Sequence, residues 1–133
     1  MNPLAIETAF KSALAVSFPT AVIHTGTSYE EIPPETVTLV VSVESLNTVG
    51  LGLYTATATI RLMAPALLGA DSYDDFSAAL DALKNVTTQA SLLTNWPATN
   101  APNFCGAWLS SISTSNSGNA WTADLQMTIG VMD

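Results

Sequence analysis

The stretch Tyr54-Thr-Ala-Thr-Ala-Thr-Ile-Arg-Leu-Met-Ala64 alternates with a period of two. Tyr54, Ala56, Ala58, Ile60 and Leu62 point one way, and Thr55, Thr57, Thr59 and Arg61 the other. Successive side chains of a strand leave on opposite faces, so the pattern predicts a strand with one buried and one wet face. Pro65 has no N–H to give to a ladder and ends that strand. The loop 66–70 then leads to Ser72, the expected N-cap of a helix, with Asp75 three positions on in a weaker capping box. Asp71, Asp74 and Asp75 place negative charge at the positive end of that helix's dipole. Phe76, Leu80 and Leu83, with Ala79, Val86, Ala90 and Leu93, recur at helical spacing. They predict one amphipathic helix lying on the apolar face of the sheet. This unit decides architecture and carries no catalytic pattern.

Working outward, Asn2 caps a first helix with Pro3 at its first position, and Ile6, Phe10, Ala13 and Leu14 form the apolar stripe. Pro19 ends it, and Ala21-Val-Ile-His24 reads as a short strand. The loop Thr25 to Glu35 carries Glu30, Glu31 and Glu35 around Pro33-Pro34, so it is expected to be exposed and partly stiff. Thr36 to Leu46 is the next strand, with Val37, Leu39, Val41 and Val43 inward. Val40 interrupts its polar face, as expected where that face meets another subunit. The turn Asn47 to Leu53 joins this strand to Tyr54 as an antiparallel hairpin. Its apolar residues, Val49, Leu51 and Leu53, are unusual for a solvated tip and mark a contact. Beyond the second helix come a loop from Trp96 to Pro102, a weaker strand from Phe104 to Thr114, and a turn from Ser115 to Asn119. Trp121 to Met132 closes the chain with its cleanest alternation. Trp121, Ala123, Leu125, Met127, Ile129 and Val131 face in. The expected class is α+β, in the order α-β-β-β-α-β-β, with two helices on one face of a mostly antiparallel sheet.

Composition narrows the function. The chain of 133 residues is one domain, 48% hydrophobic and only 11% charged. Its mean hydropathy of +0.34 is high for a soluble chain, and the shortage of charge points to buried intersubunit surface. No apolar run approaches the ~18 residues of a membrane span, and the first residues lack the pattern of a signal peptide. Three basic residues (Lys11, Arg61, Lys84) face eleven acidic ones, a net charge of −8. That excludes a protein that grips phosphates through clustered Lys and Arg. The single Cys105 has no intrachain partner and suits a reducing compartment.

Catalytic patterns are sparse. His24, the only histidine, has no nucleophile near it in sequence and reads as structural. Cys105 sits between Phe104 and Gly106 without basic neighbours and reads as a small buried apolar filler. The Asp71, Asp74, Asp75 group lacks the ligand spacing of a calcium loop. Glu30, Glu31 and Glu35 offer paired carboxylates for an acid-dependent hydrolase, though a solvated acidic loop accounts for them. A ligand pocket lined by the aromatic side chains is the remaining alternative, with core packing the default for rings at inward positions. No catalytic, metal-ligating or cofactor-binding residue is assigned.

Three stretches carry a resemblance to a known family. One is the first helix leading into a strand and the proline loop Ile32-Pro-Pro34. Another is Ala56-Thr-Ala-Thr-Ile-Arg-Leu-Met-Ala-Pro65, before Asp71-Ser72 and a helix. The last is Trp121-Thr-Ala-Asp-Leu-Gln-Met-Thr-Ile-Gly-Val131. In order and pattern the chain resembles the tail-terminator (tail-completion) proteins of long-tailed bacteriophages, over nearly its whole length. The resemblance implies a structural virion protein that forms a hexameric ring with copies of itself. Such a ring caps the tail tube, ends its polymerisation and presents a surface to the head-side connector. It also implies assembly in the host cytoplasm, a lumen through which DNA passes without specific binding, and no enzymatic residues or cofactors. Head-completion and stopper rings of the neck share small α+β domains and are the alternative. On this reading Val49, Leu51, Leu53, Glu30, Glu31 and Glu35 are the expected interaction residues.

Overall fold

A computed structural model describes residues 2–26, 36–66, 71–116 and 120–133. Helix α1 (Pro3–Ser17) starts as its sequence dictates: the Asn2 side-chain oxygen accepts the Ala5 N–H at 2.9 Å, with Pro3 in the first turn. Ile6, Phe10, Ala13 and Leu14 are buried along it, and the Phe18 N–H closes the helix on the Leu14 carbonyl. The strands are β1 (Val22–Thr25), β2 (Thr38–Gly50), β3 (Leu53–Pro65), β4 (Asn103–Asn116) and β5 (Ala120–Met132). Between β3 and β4 lie α2 (Asp71–Val86) and α3 (Gln89–Asn95). The five described strands form one sheet in the order β1-β2-β3-β5-β4. β1 runs parallel to β2, and every other pair is antiparallel. The class is α+β, as the alternation predicts.

One face of the sheet makes the core. Leu39 and Val41 of β2, Ala56, Ala58, Ile60 and Leu62 of β3, and Ala123 through Val131 at odd positions of β5 are fully buried there. The three helices pack on that face and on one another. Fully burying one such Leu, Ile or Val contributes about 1.5–3 kcal/mol, so the β3–β5 seam holds the largest share of the core. Phe10 of α1 meets Trp96 edge-on with centroids 5.7 Å apart, and Trp96 lies 5.3 Å from Phe104 of β4. The buried Trp96 indole N–H donates to the Pro102 carbonyl at 2.8 Å, which removes the penalty of burying it.

Several expectations need correction. The helix predicted through Leu93 is two helices. Thr87 bonds its hydroxyl back to the Leu83 carbonyl at 2.9 Å, and Thr88 caps α3 by accepting the Ser91 N–H at 3.3 Å. Ser72 is not the N-cap, because α2 already begins at Asp71; it is buried and accepts the Trp121 indole N–H at 3.4 Å. Val40 is buried within the subunit opposite Arg61, so it offers no contact to a neighbour. Cys105 is exposed rather than buried: it falls at a register shift between Phe104 and Gly106, where the bulge turns it out of the ladder. The turn predicted from Asn47 to Leu53 narrows to Leu51-Gly52, with the ladder continuing to the Gly50–Leu53 pair. The turn predicted at 115–119 begins later, since β4 runs to Asn116, and 117–119 lie outside the described residues.

Candidate interaction surfaces

Among the described residues the hairpin tip is the most exposed apolar feature. Gly52 has φ +71°, a backbone that an L side chain adopts only under strain, and it lets the chain reverse in two residues. Leu51 is thereby left 104% exposed and Val49 61%, while Leu53 is half-buried. The tip is anchored, since the Gly52 carbonyl accepts the Asp133 N–H at 2.9 Å. The Asp133 carboxylate also holds the Tyr54 phenol above its ordinary pKa of 10.0, first by its charge, then by a hydrogen bond and burial. Of the expected interaction residues, Val49 and Leu51 thus stand together at one end of the sheet with Leu53 behind them. Glu30, Glu31 and Glu35 lie outside the described residues.

The edges of the sheet form a second kind of surface. β1 pairs with Thr38–Val41 only, so the outer edge of β2 is covered over its first part. Just past β1, the Val43 N–H is taken by the carboxylate of Glu7, which is 5% exposed and reaches across from α1 at 2.9 Å. Beyond that, Glu44–Gly50 pairs with β3 on one side and with no described strand on the other. β4 is the opposite edge, and among the described residues it pairs with β5 alone. Nothing in its fourteen residues is charged or proline. Edge strands are normally blunted by Lys, Pro, bulges or coverage; β4 has only its two register shifts, and Trp108 and Ile112 are 59% and 38% exposed on it.

The helix-free face is polar. Thr55, Thr57 and Thr59 of β3 stand beside Gly130, Thr128 and Gln126 of β5. Arg61 lies opposite Asp124 and forks onto it, Nε to Oδ1 at 2.8 Å and Nη2 to Oδ2 at 3.2 Å. The cation on this face is thus held within the subunit. At the end of the sheet away from the hairpin, Tyr73, Phe76 and Leu80 of α2 and Trp121 of β5 line a groove of about 200 Å³. Its rings are in contact, with Tyr73 5.1 Å and Phe76 6.0 Å from Trp121. No helix of the described residues is long and apolar enough to cross a membrane.

Sequence reading located the hairpin tip through its glycine-flanked apolar run. It missed Glu7, whose neighbours Ile6 and Phe10 mark a helix stripe without showing that an acid beside them reaches a strand. Trp108 and the Tyr73–Trp121 groove were also missed, because aromatic residues in strands and helices read as core.

The same fold occurs in a chain of the virion of a native gene transfer agent particle. The two superimpose with a TM-score of 0.55 at 15% identity, covering 98% of this chain and 96% of that one. A second solved chain matches with a TM-score of 0.57 at 18% identity, over 100% of this chain and 97% of its own length. No family model and no curated protein matches the sequence. At these identities the likeness is one of fold.

Proposed function

We propose that this chain is a structural subunit of a phage-type particle. In this reading its copies form a ring that caps the tail tube, ends tube growth and offers the head-joining surface. The observation that carries it is the end-to-end likeness of fold to a virion chain, with neither protein having much left over. The exposed tip at Val49 and Leu51 supports it, since a solvated hairpin gains nothing from bare apolar side chains there. The role is structural, with no catalysis and no cofactor. The partners are further copies of the chain (six in a closed ring), the tube protein and a head-side neck protein, within a particle assembled in the host cytoplasm.

The charge suits such a ring. A cationic lumen would hold DNA through many counterion-releasing contacts and resist its passage. A subunit of net charge −8, with Arg61 already on Asp124, instead gives a lumen of acidic and small polar groups that lets DNA slide. The test has two arms. Native mass spectrometry of the purified chain is expected to show a closed ring, and adding it to polymerising tube subunits should shorten the tubes seen by electron microscopy. Rings that leave tube length unchanged but bind the head connector would move the protein to a head-completion or stopper position. A persistent monomer that does neither would sink the reading.

A further inference from the structure

We infer that copies of this chain join edge to edge, Glu44–Gly50 of β2 in one copy pairing antiparallel with Trp108–Thr114 of β4 in the next. Leu46 then lies beside Ile112. The inference deepens the ring reading and rests on it for closure, while the edges themselves follow from topology.

Both stretches present backbone groups that no described strand takes up. The directions agree: β2 is antiparallel to β3, β3 to β5 and β5 to β4, so β2 and β4 run in opposite senses. A copy brought round by rotation about an axis near the strand direction therefore meets β4 antiparallel, the more stable of the two pairings. Like charges do not meet. β4 carries none, and the one acid on the other stretch, Glu44, already accepts the Thr59 hydroxyl.

The register follows from shape. Across the sheet Leu46 is level with Ala56, Ile129 and Ala107. A flush join at that level would drive β1, which projects one strand beyond Thr38–Val41, into the far half of the neighbour's β4. Sliding the copy by four rungs, which is five residues of β4 because Ser110 is extra at the register shift, brings β1 to the end of β4, with only Thr25 still level with Asn116. That slide sets Leu46 beside Ile112 on the helix-covered face, where their own partners Ala56 and Leu125 also point. It sets Ser45 beside Ser113 on the open face, with their partners Thr57 and Asp124. The neighbour's Val49 and Leu51 arrive level with the exposed Trp108. Three large apolar side chains that the lone subunit leaves in water thus gain a partner.

A slip of four rungs is about 13 Å at about 3.3 Å per residue. Four strands per copy at about 4.8 Å span about 19 Å, so the strands tilt by roughly 35° to the ring axis, within the range of closed barrels. Because the β2 edge meets the β4 edge and not itself, the contact repeats from copy to copy, as a ring requires.

Disulfide trapping tests this. In a Cys105→Ser background, Ser45→Cys with Ser113→Cys is expected to give a ladder of covalent multimers on mild oxidation, since cross-strand Cα distances of about 4.5–5.5 Å suit a disulfide. Either cysteine alone should give no ladder. Ile112→Lys should keep the circular dichroism of the subunit and shift its sedimentation to monomer. Dimers from Ser113→Cys alone would mean a two-fold β4–β4 contact and overturn the inference. Oligomers by native mass spectrometry without a ladder would overturn it and leave the ring reading standing. A ladder from open filaments would keep the edge pairing and remove the ring. Monomers without a ladder would remove both.

Discussion

At the scale of single residues, Glu7 shows how a buried acid earns its place. Its carboxylate satisfies the Val43 N–H at a bulge in β2, where the register slips between Val43 and Ser45. Replacing it by Ala strands that N–H in the interior, and urea unfolding is expected to show a loss of about 1–3 kcal/mol. Glu7→Gln keeps an acceptor oxygen and should lose less; equal losses would show that packing, not the hydrogen bond, matters. Tyr54 carries a pH signature. Its folded pKa lies above 10.0 because Asp133 disfavours the phenolate, so the contact's contribution is complete below the unfolded value and is lost as pH rises through the folded one. With Tyr29 and Tyr73 changed to Phe, absorbance titration of Tyr54 should give a midpoint above 10.0, and Asp133→Asn should bring it down. An unmoved midpoint would remove Asp133 as the cause. Neither contact is legible in the sequence, since 36 residues separate Glu7 from Val43 and only the fold brings them together.

Among the elements, β3 and β5 were the most legible, because each has strands on both sides, one packed face and one wet face. Their alternation survives intact in the burial of Ala56 to Leu62 and Ala123 to Val131. β4 was less legible because an edge strand needs no regular alternation, and its register shifts break the period. The helix break after Val86 was hidden for another reason: Ala90 and Leu93 continue the spacing of α2, yet both are exposed, and Thr88 starts a new helix. Thr88→Ala is expected to cost about 1 kcal/mol, read as faster amide exchange across Gln89–Asn95 with α1 unaffected. The tip gives the test of contact. Leu51→Ser and Val49→Ser should leave secondary structure unchanged and weaken assembly, whereas Leu53→Ser, half-buried behind them, should also lower stability. Assembly at wild-type strength with Leu51→Ser would remove the tip from the interface.

For the whole molecule, charge and topology have separate consequences. At −8 per copy, DNA is expected to show no retention by the protein even at low salt, where surface electrostatics reach furthest. Steeply salt-dependent binding would place a basic track where none is expected. Topology governs how the sheet comes into being. β3 and β5 lie side by side, yet Ile60 and Leu125 are about 65 residues apart along the chain. The β2–β3 hairpin, with its two-residue turn, forms in about 1–10 μs. Its bare side must wait for α2, α3, β4 and then β5, which inserts between β3 and β4. At about 5–20 residues per second on the ribosome, the wait from Pro65 to Met132 is roughly 3–13 s. During those seconds β3, with its apolar inner face, has an open edge, so crowded nascent chains risk joining there instead of at the mature edges. Slower, cooler expression is accordingly expected to raise the soluble fraction, and a chain cut after β4 should pass almost wholly into the pellet.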